Sequence, residues 1–247
     1  EMERNFKSIY YETSLNSAIS DNFLDYPNRS TFTSYSQMVE FVGLNIYNTT
    51  EQLFVFSEFL VDIFCNLAEK FTEEESEFIQ IIFDNIKRFL ELSNHELITL
   101  DNGNKIIVEK NVYASEASQI VSETSIEEAI KVLEYNHFSN KGNIQRKKEI
   151  LIALANYLEP FRRELNYSEE LKDIMKVNNQ KVIAFEKLFE MYNNFGLRHN
   201  NSNQYHLDLA DDELEQWYDD IYTSTLFVIL SMDESRILSK LKTLREG

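Results

Sequence analysis

The chain has 247 residues, 43% of them hydrophobic and 27% charged, a balance that buries a core and excludes a disordered polypeptide. Its 42 acidic against 24 basic residues leave a formal charge of −18, which excludes a surface that binds long nucleic acid by bulk counterion release, leaves room for a small local basic site, and serves mostly for solubility. Five glycines and two prolines, Pro27 and Pro160, are too few for the turns of an all-β sandwich, so a mainly α fold is expected.

The polar start at residues 1–7 has no signal-peptide apolar core behind it, and no run of about 18 apolar residues follows, so neither secretion nor membrane insertion is expected and the location reads as cytoplasmic. Residues 35–92 read as helices joined by short turns. Leu53, Phe54, Phe56, Phe59, Leu60, Ile63 and Phe64 make one of these apolar over a wide arc. Cys65, the single cysteine, cannot form an intramolecular disulfide and has no neighbouring cation to activate it, so it reads as buried filler. Thr72 with Glu75 forms a capping-box pattern before Phe78, Ile79, Ile82, Ile86, Phe89 and Leu90, and Asn94 ends that helix.

Two β-rich runs, residues 96–100 and 105–109, flank Asn102-Gly103 and predict a hairpin, since both turn residues tolerate positive φ. Residues 111–124 are small and polar and read as the boundary. The expected organisation is an N-terminal helical region, 1–112, with the hairpin near 96–109, and a C-terminal helical bundle, 113–247.

Beyond the boundary Ser125 with Glu128 repeats the capping-box pattern. Arg146-Lys147-Lys148 then opens a helix carrying Ile150, Leu151, Leu154 and Leu158, which Pro160 should kink or divide. The cations there and at Arg162-Arg163 read as a solvated helix face or as phosphate contacts. Residues 168–195 continue the helical spacing and end at Gly196. Asp211, Asp212, Glu213 and Glu215 favour the positive end of a last long helix containing Leu214, Trp217 and Ile221. His95 and His137 lie in no metal-ligand spacing, and no Walker loop, Rossmann glycine pattern or nucleophile elbow occurs, so no metal and no cofactor is expected.

Between the last two helices the polar residues concentrate: Arg198, His199, Asn200, Asn201, Asn203, Tyr205 and His206. An arginine beside histidines suits phosphodiester cleavage. Imidazole can take the proton of a ribose 2′-hydroxyl near neutral pH, and the forked, always-charged guanidinium stabilises the oxyanions of a pentavalent phosphorus. The competing reading has Arg198 and His199 capping the preceding helix while the asparagines make turns.

The stretch from Glu149 to Pro160, through Phe185 to Asn194-Phe-Gly-Leu-Arg-His-Asn-Asn201 and an acidic-start helix, resembles the helical domain of abortive-infection proteins of the HEPN superfamily, over roughly the last half of the chain. That resemblance implies a metal-independent endoribonuclease acting as a homodimer, restrained by an antitoxin or regulatory partner. It implies catalytic roles for Arg198, for His199 as its polar follower and for His206 as the distal histidine, with Asn200 and Asn201 contacting RNA. Seven residues separate Arg198 from His206, one more than the family pattern has, so His199 stands as the alternative working histidine. The rival function is a non-catalytic helical interaction protein that retains the bundle.

Overall fold

Residues 40, 49–67, 73–100, 103, 105–198 and 209–246 are described by the computed structural model, and they are mainly helical. The chain divides into two compact units, Glu1–Glu109 and Lys110–Gly247.

In the first unit, helix α1 (Thr50–Leu67) begins where the Thr49 hydroxyl accepts the Gln52 N–H, and its Phe54, Phe59, Leu60, Val61 and Phe64 are buried. Cys65, expected inside, is exposed: it lies in the last turn of α1, off the buried face. Helix α2 (Glu73–Leu92) closes at Asn94, whose φ of +60° is the left-handed conformation that ends helices. Thr72 and the Glu75 side chain, expected to form a capping box, lie outside the described residues.

The hairpin pairs β1 (His95–Thr99) with β2 (Lys105–Glu109) in antiparallel register, Leu97 opposite Ile107, and Gly103 turns at φ +83°. One edge of β2 is satisfied from α1: the Lys105 N–H donates to Asp62 at 3.2 Å and the Ile107 N–H to the Glu58 carboxylate at 2.5 Å. Glu58 and Asp62 are buried for this purpose, one helical turn apart on the face that meets the strand.

In the second unit, residues 112–122 form helix α3 (Val112–Ser122), capped by the Asn111 side chain. Its small residues let it approach its neighbours closely: Ala114, Ala117 and Ser118 are buried, and the Ser118 hydroxyl donates to the Ala129 carbonyl of α4 (Ile126–Glu134). Ser125 precedes α4 as expected, but its hydroxyl donates to the Glu128 carboxylate and not within the anticipated backbone capping pattern.

Helix α5 (Ile144–Leu158) ends two residues before Pro160, which the chain passes in a 3-10 turn (Glu159–Phe161) before α6 (Arg162–Tyr167) and α7 (Glu169–Ile174). A second, two-residue hairpin then interrupts the expected helix: β3 (Val177–Asn178) pairs with β4 (Lys181–Val182) around Asn179 and Gln180, both at positive φ. Helix α8 (Ile183–Asn194) and the long α9 (Asp211–Glu246) complete the bundle. Helix α9 packs against α3, α5, α7 and α8 through Tyr218, Ile221, Tyr222, Leu226 and Ile229. Trp217, placed with Leu214 and Ile221 from sequence, is 39% exposed, and Phe227 on the same helix is 47% exposed. No described helix is long and apolar enough to cross a membrane.

Candidate active site

Helix α8 delivers Arg198 from a rigid end. Gly196 at φ +66° reverses the chain, its N–H reaches the Asn193 carbonyl, and the Leu197 N–H reaches the Tyr192 carbonyl at 2.9 Å. This is a Schellman closure, sealed by the burial of Phe195 and Leu197. Backbone amides thereby occupy carbonyls that a capping Arg198 was expected to reach.

The Arg198 guanidinium turns instead to the α5–α6 turn. Its side chain is 8% exposed, and it meets Glu159 Oε2 at 2.8 Å as an ion pair. Arg162, on the next turn, faces Glu159 Oε1 at 3.9 Å. Both guanidiniums lie over the ring of Phe189, at 4.8 Å for Arg162 and 5.7 Å for Arg198, and that ring is fully buried in α8. Two guanidiniums therefore share one aromatic ring and one carboxylate. Lys181 in β4 is close enough to Arg162 to feel its charge, and its own amine is raised by its hydrogen bond to Glu186.

Beneath Arg198, the Tyr192 hydroxyl meets Thr225 Oγ1 at 2.6 Å, and Thr225 in turn donates to the Ile221 carbonyl. Burial pushes the Tyr192 phenol well above its usual value, against opposing pulls from Thr225 and the charge of Arg198. It is a packed anchor for the end of α8, held to α9 by a hydrogen bond.

Of the residues expected to carry chemistry, Arg198 alone is among the described residues; His199, Asn200, Asn201 and His206 lie outside them. Near Leu209 an apolar cleft of about 440 Å³ is lined by Met191, Phe195, Leu209 and Trp217 with Lys187 and Glu190. The Trp217 and Phe195 rings pack in a tilted arrangement with centroids 5.1 Å apart.

The other two histidines have local partners. The His95 ring packs on Phe54 at 4.4 Å and its Nδ1 meets the Ser93 carbonyl, while His137 is buried with Nδ1 at 2.6 Å from Ser139 Oγ. Among the described residues no three His, Cys, Asp or Glu side chains form a metal-holding group.

The Arg146-Lys147-Lys148 patch is neither simply solvated nor open to phosphate. Arg146 pairs with Glu134 and Glu149. Lys147 is buried, with Nζ 2.7 Å from both Glu215 and Asp219 of α9 and 5.5 Å from the Tyr135 ring. Tyr135 stacks on Tyr222 at 3.9 Å and donates to Asp219, and Tyr222 donates to the Val132 carbonyl. Burial and the Asp219 carboxylate push the Tyr135 phenol far up. Burial raises Glu134 and Glu215, but hydrogen bonds from Lys131 and Arg146 to the first, and from Lys147 and the Gly142 N–H to the second, outweigh it and hold both below the usual 4.5. The signal for this network in the sequence was a lysine on the apolar stripe of α5, three residues before Ile150.

Compared with known proteins, the chain matches no family model, no curated protein and no solved structure.

Proposed function

We propose that the protein is a metal-independent endoribonuclease of the abortive-infection or toxin type, built on a HEPN-like C-terminal bundle. One observation supports this reading best: Arg198 stands on a stiff helix end next to the histidine-bearing loop, with a second guanidinium, Arg162, across the same ring. In a chain of net charge −18, that local concentration of cations suits a phosphodiester.

In the proposed reaction His199 or His206 takes the proton of a ribose 2′-hydroxyl. The 2′-oxygen forms a bond to the adjacent phosphorus, and the phosphorus–5′-oxygen bond breaks, the departing oxygen taking a proton from water. The products are a 2′,3′-cyclic phosphate and a free 5′-hydroxyl. Arg198 balances the charge gathering on the phosphoryl oxygens, and Asn200 and Asn201 hold the RNA. A cytoplasmic homodimer that joins two copies of the loop, kept in check by an antitoxin or regulatory partner, completes the proposal. Purified protein should cleave single-stranded RNA in EDTA, Arg198→Ala should abolish cleavage, and His199→Ala should abolish it where His199 is the base; activity that survives both substitutions refutes the site. Light scattering should give a dimer at micromolar concentration, and a monomer counts against the shared cleft.

A second reading, a non-catalytic helical interaction protein, is favoured by the burial of Arg198 and its pairing with Glu159, which tie the end of α8 to the α5–α6 turn. On that reading Arg198→Ala lowers stability while wild type cleaves no RNA.

A further inference from the structure

Glu159 sits between two guanidiniums without completing a hydrogen bond to either. Its Oε2 is buried and meets Arg198 at 2.8 Å without hydrogen-bond alignment, and its Oε1 stands 3.9 Å from Arg162, beyond hydrogen-bond reach. Among the described residues Arg162 makes no hydrogen bond, so its donors are available to a ligand; its side chain is 38% exposed and that of Glu159 is 39% exposed. Arg198 lies behind them at 8%. A ligand arriving from solvent therefore meets Arg162 and Glu159 first and reaches Arg198 only by moving the carboxylate.

The geometry has the form of an anion site with its own anion in place. The two oxygens of Glu159 each point at a different guanidinium, the arrangement that the two non-bridging oxygens of a phosphodiester would adopt. A tetrahedral phosphate offers lone pairs in more directions than a planar carboxylate and can align with both forks. The buried Phe189 ring contacts both guanidiniums, and these contacts persist when the carboxylate leaves, which keeps the pair preorganised. Pro160, directly after Glu159, limits the backbone at that turn, so the side chain of Glu159 is what moves.

We propose that Arg162 and Arg198 together form a phosphodiester-binding site in which the Glu159 carboxylate is a built-in competitor that the RNA phosphate must displace. This rests on the reading of Arg198 as a phosphate-binding residue, and it adds Arg162 to the site and gives Glu159 a restraining role.

The test measures binding apart from cleavage, with a single-stranded 2′-O-methyl oligoribonucleotide, which has no free 2′-hydroxyl to attack. Glu159→Gln keeps the size of the side chain and removes its charge, and it should bind the oligonucleotide about tenfold more tightly than wild type, the gain of one freed charge-assisted contact. The double variant Glu159→Gln with Arg162→Gln should lose that gain. Glu159→Asp, which retracts the charge, should shift affinity in the same direction as Glu159→Gln and carries the test if the glutamine variant melts early. Unchanged or weaker binding by folded Glu159→Gln, or a gain that persists without Arg162, overturns the proposal. Failure of the ribonuclease reading looks different: tighter binding by Glu159→Gln with no cleavage of ordinary RNA by wild type keeps the phosphate site and removes the enzyme.

Discussion

Replacing Lys147 by methionine tests whether the basic patch at the start of α5 is structural. Methionine preserves an unbranched apolar stem in a buried slot and removes the ammonium that stands 2.7 Å from Glu215 and from Asp219. Removing one partner of a fully buried ion pair costs about 3–5 kcal/mol. Here the carboxylates retain 21% and 51% side-chain exposure, so water recovers much of their solvation, and the expected cost falls to about 1–2 kcal/mol. With a urea slope of about 2 kcal/mol/M, that moves the unfolding midpoint down by roughly 0.5–1 M. Lys147→Ala also removes the buried stem and should cost about 2 kcal/mol more. Lys148→Met, at a half-buried neighbouring position without an ion pair among the described residues, should stay within about 0.5 kcal/mol of wild type. Urea unfolding followed by circular dichroism gives all three numbers. If Lys147→Met is as silent as Lys148→Met, the α5–α9 network contributes nothing and the argument from burial is wrong.

Gly196→Ala places a Cβ at φ +66° and should destabilise the second unit by about 1 kcal/mol, with a larger proportional loss of any RNA cleavage because Arg198 is delivered from that turn; unchanged stability would show the left-handed closure is not formed. Glu58→Ala removes the acceptor of the buried Ile107 N–H and should cost about 1–3 kcal/mol, visible as faster amide exchange at Ile107, whereas Glu58→Gln keeps an acceptor and should lose less. Acid sensitivity follows from Glu134 and Glu215. Both are held below 4.5 in the folded chain, so their contribution to stability is complete above that value and is lost as pH falls through their lower folded values. A stability that rises between pH 4.5 and pH 3 would reverse the sign and contradict the pairing.

The helices were legible because their cause is local. Apolar residues at spacings of three and four mark α1, α2, α5 and α8, and Asn102-Gly103 marks the first hairpin. Where tertiary packing decides, the same rules failed. The small and polar residues of 111–124 resemble a loop in composition and hid a helix, yet at 112–122 small residues are what close packing of α3 on α4 requires. The hairpin at residues 177–182 was too short to break a helical pattern, although Asn179-Gln180 carried the turn signal. Lys147 read as a solvated helix face or a phosphate contact, and nothing local marked Glu58 or Asp62 as buried, because their partners, a distant helix and a strand edge, are set by the fold alone.

The candidate site divides in the same way. Arg198 and the Gly196 closure were visible as a polar cluster after a helix-ending glycine. Its partners Glu159, Arg162 and Phe189 were not, because they reach it across the bundle from the α5–α6 turn and from one face of α8. By sequence Arg162 reads as a solvated helix face or a phosphate contact, and in the structure it shares the Phe189 ring with Arg198.

The most direct measurement of the central claim is end-group analysis of RNA incubated with the purified protein in EDTA, using one oligoribonucleotide and a copy carrying a single 2′-deoxy residue at the cleaved position. The account predicts 2′,3′-cyclic phosphate and 5′-hydroxyl ends from the first, no cut at the substituted position in the second, and no products from Arg198→Ala. Cleavage at the deoxy position, 5′-phosphate ends, or an intact RNA after prolonged incubation with wild type would contradict it.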